Sequence, residues 1–327
     1  MDSYGGFEKL RLDKAPDPHP AAGQVVLRMI YAALNPADAF LAEAQYPARP
    51  KLPHILGRDG VGEVVAVGEG VEGVKVGDIV GILRGETGVE AWGTLAELTA
   101  VDASHTVPVP EGWSLEELAG APLVFLTAWQ AITQWSEPAA PPAPASVLLV
   151  TGASGGVGTA SVLLGRSMGL AVVALSRSAK KAEQLKQLGA DFVFDPAAKD
   201  LRKQVLASVA PRRVDLAVDN VAGPLFNDVV AMLGYGGRIS VVGRSGGPVP
   251  EFNTAMLFFR RNRIGGVTVA DYSASAAKAA WNEIVKRLDK IGKRPVVDQV
   301  FPFTEVKRAF ARLGEGPMGK VLVKVSS

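Results

Sequence analysis

The residues with the plainest chemical use are Thr151-Gly152-Ala153-Ser154-Gly155-Gly156-Val157-Gly158. A glycine turn that opens a helix presents backbone N–H groups, and the aligned peptide dipoles behind them favour a diphosphate. Ala153-x-Gly155-x-x-Gly158 matches the dinucleotide fingerprint when Ala153 stands for the first glycine. Ser154, Gly155, Gly156 and Val157 are therefore the expected phosphate contacts. The motif needs a strand before it and a helix after it. Ala145 to Val150 is a short apolar run rich in β-branched residues, and Thr159 to Met168 carries apolar residues at helical spacing. An ordinary glycine turn of an α/β protein is the competing reading, and those two flanks weigh against it.

The end of the following strand separates the two nicotinamide dinucleotides. Ala171 to Ser176 reads as that strand, and an NAD site places Asp or Glu about 20 residues beyond the glycines to hold the ribose 2′-OH. This chain has Ser176 and Arg177 there, followed by Lys180 and Lys181. An acidic residue would repel a 2′-phosphate, whereas a hydroxyl, a guanidinium and an ammonium each offer it a charge-assisted bond of about 1.5–3 kcal/mol. The expected cofactor is NADPH. For Lys180, a solvated charge at the start of the helix Ala179 to Leu188 is the better account.

Composition fits a two-domain enzyme and argues against other classes. The chain has 327 residues, 48% of them hydrophobic, which is ample for two cores. A net charge of +2, with no basic cluster interleaved with aromatics, gives no footprint for nucleic acid or a membrane surface. There is no apolar run long enough to span a bilayer and no signal peptide, so a cytoplasmic protein is expected. With no cysteine, the chain has no disulfide, thiol nucleophile or thiolate ligand. His19, His54 and His105 lack ligand spacing, no metal site is expected, and each histidine reads as a surface or packing residue.

The elements that position these residues follow from pattern order. Gln24 to about Val101 is rich in Val, Gly and β-type runs such as Gly62 to Val67, and reads as an antiparallel, barrel-like domain. From about Ser114, strands alternate with helices: Val147–Val150, Val172–Ser176, Phe192–Phe194, Leu216–Val218, Ile239–Val242 and Ile264–Val269. That alternation predicts a doubly wound parallel sheet. Ala274 to Ile291 reads as a long amphipathic helix ended by Gly292, and short strands return from Pro295. The proline-rich stretch Glu137 to Pro144 reads as a surface connector. The expected division is 1–115, 116–270 and a return of 271–327 to the first domain. The fold class is α/β, a β-rich domain plus a doubly wound one.

Over nearly its whole length the chain resembles the medium-chain dehydrogenase/reductase superfamily, specifically its zinc-free quinone oxidoreductase branch. Asn35-Pro36-Ala37-Asp38, Leu56 to Gly62, Gly68 to Val71, Val76 to Val80, Gly155 to Gly158, Asp219-Asn220-Val221, Phe258 to Asn262 and Gly319 to Leu322 carry the resemblance. It implies a GroES-like catalytic domain with a Rossmann domain inserted, and a homodimer joined through the Rossmann sheet edge at Ile264 to Val269. Zinc-dependent relatives typically carry His-Glu where this chain has Arg58-Asp59, and Asn35 replaces their first cysteine ligand. Relatives usually open with a strand of the form Met-Lys-Ala ahead of the turn matched by Ser3 to Gly6, so either a late assignment of the start codon or a trimmed chain is expected.

The same resemblance implies site residues. Asn35 matches an asparagine beside the nicotinamide ribose and the reacting carbonyl, with a plain Asn-Pro turn as the competing reading. Asp38 is expected to fix the loop. Tyr46 matches a tyrosine of the quinone cleft and is a candidate proton donor. Phe40 stands where a second tyrosine is often found, which leaves the proton to Tyr46 or water. Trp92, Leu126 and Thr127 are expected to wall the nicotinamide pocket. Asn220, Val242, Gly243 and Arg244 lie where strands end on the ligand edge, although a solvated role suits Arg244 equally. Val267 and Val269 would meet the carboxamide through their backbones, and Lys181 matches a lysine near the 2′-phosphate. Pro196 departs from a tyrosine often near the adenine.

Without a metal, no Lewis acid polarises an isolated carbonyl. Hydride then needs an acceptor that is itself electrophilic, such as a quinone or an α,β-unsaturated carbonyl, held about 3–3.5 Å from the nicotinamide in a dry pocket. NADPH-dependent reduction of such acceptors is the expected function. Two alternatives stay open: a 2-enoyl thioester reductase, for which Arg260, Arg261 and Arg263 are the sole basic cluster, and a non-catalytic, redox-responsive NADPH-binding protein.

Overall fold

A computed structural model describes residues 1–136, 139–249 and 251–326. Strands β1 (Gln24–Ala33), β2 (Asp59–Val67), β3 (Ile79–Ile82), β4 (Leu98–Asp102) and β5 (Thr106–Pro108) come first. Helix α1 (Pro36–Ala42) joins β1 to β2, while α2 (Leu115–Ala119) and α3 (Pro122–Thr133) follow β5. A regular alternation comes next: β6 (Val147–Val150), α4 (Gly156–Ser167), β7 (Ala171–Leu175), α5 (Ala179–Leu188), β8 (Phe192–Phe194), α6 (Leu201–Val209) and β9 (Val214–Asp219). It continues through α7 (Leu225–Met232), β10 (Leu233–Val241), α8 (Ala255–Arg260) and β11 (Arg263–Gly266). The chain closes with α9 (Ala274–Lys290), β12 (Val297–Pro302), α10 (Val306–Gly314) and β13 (Lys320–Lys324).

These elements form two compact units. The first comprises Met1–Leu123, Ala270–Asn282 and Arg294–Ser327; the second comprises Val124–Val269 and Glu283–Lys293. Of the connector read over Glu137 to Pro144, Glu137 and Pro138 lie outside the described residues.

The first unit is built on a seven-stranded mixed sheet in the order β12-β13-β1-β2-β3-β5, with β4 also on β1. Strand β1 is shared because it is long and apolar, and bulges at Val26/Leu27 and Met29/Tyr31 bend it along its pairing with β2. Its other edge is divided: β4 pairs Gln24 to Arg28, and β13 pairs Tyr31 to Ala33. The Leu34 N–H continues the β13 pairing by donating to the Val321 carbonyl at 3.0 Å. That bond sets the end of β1 beside the start of β13, and so brings residue 35 to residue 320. Val25, Leu27, Met29, Val64, Val80, Ile82 and Val101 form the barrel core. A second apolar cluster of Leu34, Leu41, Leu56, Phe301, Phe310, Val321 and Val323 supports α1.

The second unit is a six-stranded parallel sheet in the order β11-β10-β9-β6-β7-β8. Read from β8, this is the 3-2-1-4-5-6 order of a doubly wound fold, whose ligands bind outside the carboxyl ends of the strands. Every residue of β6 is fully buried, as helices on both faces of a parallel sheet require. Helix α4 sits very close to the sheet at Gly165, where an added Cβ would lie 2.7 Å from Leu148 and 2.9 Å from Val172.

One strand is shorter than the sequence suggests. The run Ile264 to Val269 pairs only as far as Gly266, opposite Val241, the last residue of β10. The pairing stops where β10 does, so Val267 lies outside the strand and Val269 opens a 3₁₀ turn, Val269–Asp271. No described helix is long and apolar enough to cross a membrane.

Candidate active site

Each unit carries one half of the predicted chemistry. In the second unit, Thr151 follows β6 and the chain turns through Gly152 at φ +55, a conformation that favours glycine. Gly158 is the close-packing glycine: an added Cβ would lie 2.3 Å from the Gly152 carbonyl oxygen. Gly155 differs, because its Cβ would meet nothing closer than 3.5 Å. The space above Gly155 is therefore open while Gly158 is pressed on the turn. The first ladder bond of α4 runs from the Thr159 N–H to the Gly155 carbonyl at 2.8 Å, so the N–H groups of Gly156, Val157 and Gly158 precede the ladder. This is a cradle for a diphosphate.

The adjoining strand ends are tied together around the predicted Asn220 by Thr151 and Asp219, to which the sequence reading gave no such role. The Thr151 hydroxyl donates to Asp219 Oδ1 at 2.6 Å and accepts from the Asn220 N–H at 2.9 Å, while Asn220 Nδ2 returns to the Thr151 carbonyl at 2.8 Å. Asp219 Oδ1 also accepts the N–H groups of Val221 and Ala222, each at 3.1 Å. The knot holds Asn220 at the carboxyl end of β9. Val242 joins it through its N–H on the Asp219 carbonyl at 2.9 Å, and Gly243 approaches the Asn220 carbonyl so closely that a Cβ would lie 2.8 Å from it.

Ser176, just after β7, is buried and accepts the Ser178 N–H at 3.4 Å, which leaves its own hydrogen to donate. Arg177 is exposed beside it, Lys181 half-buried on α5, and Arg244 exposed after β10. Thr127 is half-buried on α3, whereas Leu126 is fully buried and turns its side chain into the interior. Pro196 is half-buried after β8.

In the first unit, Asn35 precedes α1 and its N–H donates to Asp38 Oδ2 at 2.8 Å, so Asp38 does fix the loop. Around Asn35 lies a buried polar network. Lys320 Nζ donates to Asn35 Oδ1 at 2.6 Å and to Asp59 Oδ2 at 3.1 Å. Asn35 Nδ2 donates to Asp59 Oδ2 at 3.1 Å and to the Ala33 carbonyl at 3.3 Å. Asp59 Oδ1 accepts the Leu123 N–H at 3.3 Å. Lysine only donates, so the amide atom facing Nζ is oxygen and the orientation of Asn35 is fixed. Both amide hydrogens are thereby committed, and Asn35 can meet a ligand only as an acceptor. A ribose hydroxyl suits that; a reacting carbonyl does not.

Asp38 is fully buried, and desolvation pushes its carboxyl up to about 6, against the Asn35 N–H, Arg58 and Lys320, which hold it down, and with Asp59 adding to the rise. Tyr46 and Arg58 lie half-buried in the same unit, with Arg58 Nη1 donating to the Tyr46 oxygen at 3.0 Å. Phe40 sits on α1, and its carbonyl accepts the N–H groups of Gln45 and Tyr46. Trp92 donates its indole N–H to the Pro53 carbonyl at 3.2 Å.

The donors present do not suit a metal ion. No group of three or more His, Asp or Glu among the described residues is arranged to hold one. The Asn35 and Asp59 oxygens already face an ammonium, and His54 is buried elsewhere, held below the usual imidazole range by desolvation.

Fold and glycine cradle together define a dinucleotide-binding α/β protein of the oxidoreductase type. Two family profiles match: the alcohol dehydrogenase GroES-like domain over residues 21–111 and zinc-binding dehydrogenase over residues 156–290. Rat (Rattus norvegicus) quinone oxidoreductase is 26% identical over 323 residues, 98% of this chain and 95% of its own length. A polyketide synthase of Streptomyces halstedii, GfsB, is 34% identical over 230 residues, 70% of this chain, and the match spans 4% of its length. Among solved structures, an NAD-dependent alcohol dehydrogenase superposes with a TM-score of 0.91 at 31% identity, covering 100% of this chain and 98% of that one. A mycobacterial protein complexed with NADPH gives 0.89 at 25% identity, over 99% and 98%. The chain belongs to the medium-chain dehydrogenase/reductase superfamily, in its zinc-free quinone oxidoreductase branch.

Proposed function

We propose that this protein transfers hydride from NADPH to a quinone or a related α,β-unsaturated carbonyl, without a metal ion. The observation that carries the reading is the Lys320–Asn35–Asp59 network, which puts an ammonium rather than metal ligands in the catalytic half-site. An acceptor reduced there must be electrophilic on its own. The mycobacterial structure with NADPH and the quinone oxidoreductase relatives support the same direction.

NADPH supplies the hydride when bound. The N–H groups at the start of α4, with Ser154, Gly155, Gly156 and Val157, would take its diphosphate. Ser176, Arg177 and Lys181 would take the 2′-phosphate. The solved alcohol dehydrogenase is named for NAD, but at the end of β7 this chain offers a hydroxyl and a guanidinium with no carboxylate. Thr127, Asn220, Val242, Gly243, Arg244 and the backbones of Val267 and Val269 would line the nicotinamide end, and Asn35 would accept from a ribose hydroxyl. The likeness to a polyketide synthase favours a second reading, reduction of 2-enoyl thioesters.

The test is initial-rate oxidation of NADPH and NADH against 1,4-benzoquinone, a naphthoquinone, a cyclic enone and a crotonyl thioester. Faster turnover of NADPH with quinone or enone is expected. A preference for NADH would overturn the cofactor reading, thioester-only activity would move the protein to the second reading, and tight NADPH binding with no turnover would make it a binding protein.

We also infer a homodimer through β11. That strand is the sheet edge, with Ile264 on it and Phe258 and Phe259 exposed on the helix just before it.

A further inference from the structure

We propose that Arg58 is a positioning residue that aims the Tyr46 hydroxyl at the oxygen of the reducible substrate, so that Tyr46 delivers the proton that completes reduction. The inference rests on the reading of the protein as a quinone or enone reductase.

The hydrogen-bond inventory of the first unit leads to it. Asn35 has both amide hydrogens committed to Asp59 and Ala33, and so has none for a substrate oxygen. Phe40 has no hydroxyl. Tyr46 does, and its oxygen receives Arg58 Nη1 at 3.0 Å, with the guanidinium carbon 5.6 Å from the ring centre. A guanidinium carries donors and no acceptor. The Tyr46 oxygen must therefore accept, and its own hydrogen has to point away from Arg58. Arg58 Nε is buried and has no hydrogen-bond partner among the described residues, while Nη1 is bonded to the phenol and the cation also holds the Asp38 carboxyl down.

Bond by bond, the β-carbon of an enone gains the hydride as a new C–H bond, and the displaced electron pair moves to the carbonyl oxygen. The Tyr46 O–H bond breaks, its proton makes the O–H bond of an enol, and the enol returns to the ketone in solvent. The phenolate left on Tyr46 faces Arg58 and regains a proton from water. A fixed cation beside that developing charge costs no reorganisation during the step.

A double-mutant cycle on the full chain tests this, with NADPH and 2-cyclohexen-1-one in turnover, and with the saturated ketone cyclohexanone as a non-reducible probe in calorimetry. Tyr46→Phe should lower kcat about 100-fold, the low end for loss of a general acid, and leave the KM for NADPH unchanged. Arg58→Met should lower kcat in the native background, add little in the Tyr46→Phe background, and be partly rescued by Arg58→Lys. Cyclohexanone affinity should fall about tenfold in either single variant and no further in the double. Should Arg58→Met fail to fold, Arg58→Gln, which keeps a donor but no charge, replaces it. Equal cost of the Arg58 change in both backgrounds would overturn the proposal. If the native protein reduces neither enone nor quinone, the functional reading falls, and the cyclohexanone cycle still decides the pair: coupling supports it and additivity refutes it.

Discussion

Lys320 is a charge at 3% exposure, and its partner Asp59 at 0%. Breaking a buried pair by removing one member costs about 3–5 kcal/mol, because the other charge stays behind unpaired. Lys320→Met should therefore lower the urea midpoint strongly, and Lys320→Met/Asp59→Asn should be less destabilised than the single lysine variant. Additive losses would contradict the pairing. Asp38 gives a pH-dependent test. Its folded-state carboxyl, pushed up to about 6 by burial, lies above the unfolded value, so the folded state holds the extra proton between roughly pH 4 and pH 6. Its stabilising contribution is full below pH 4 and is lost as pH rises through 6. Asp38→Asn cannot ionise, so its stability relative to the native protein should improve by about 2–3 kcal/mol from pH 4 to pH 7. Thermal melts of both proteins at the two pH values read this directly, and a constant gap would refute it.

At the scale of elements, the turn between β6 and α4 separates packing from binding. A Cβ on Gly158 would collide with the Gly152 backbone at 2.3 Å, whereas one on Gly155 meets only an ordinary contact at 3.5 Å. Gly158→Ala should destabilise the second unit by about 1–3 kcal/mol, as overpacking does. Gly155→Ala should keep its melting temperature and weaken NADPH in a fluorescence titration, since the methyl enters the space above the turn. Unchanged affinity in Gly155→Ala would argue against the cradle. The strand reading was good at β6, which is buried on both faces, and at β8, a half-buried edge strand: both have the limits their apolar runs suggest. It failed at the opposite edge, where Val267 and Val269 look like strand residues but β10 has already ended. An apolar run records a preference, and pairing decides where it is used.

For the molecule as a whole, an unpaired, partly apolar edge strand is a template for association. Phe258 and Phe259 are 65% and 74% exposed just ahead of Ile264, a cluster that favours a second copy of the chain. Light scattering at micromolar concentration should give a dimer for the native protein and a monomer for Phe259→Glu with unchanged far-UV dichroism. A native monomer would remove the homodimer proposal.

By itself the sequence determined the class of fold and the nature of the cofactor half-site. Glycine spacing, alternating apolar runs and the missing acid at Ser176 are local properties, written within a few tens of residues by backbone sterics and charge. The buried polar network of the first unit was legible only as isolated letters. Asn35 and Tyr46 stood out by resemblance, but nothing in Lys-Val-Leu-Val-Lys suggested that Lys320 would reach residues 285 and 261 positions earlier in the chain. Only the pairing of β13 with the end of β1 places that ammonium on Asn35. That contact fixes the amide of Asn35, with its oxygen on the ammonium and its hydrogens turned to Asp59 and Ala33. Hydrogen bonds between distant segments have no sequence period, so tertiary structure alone decides which groups are consumed and which remain for chemistry.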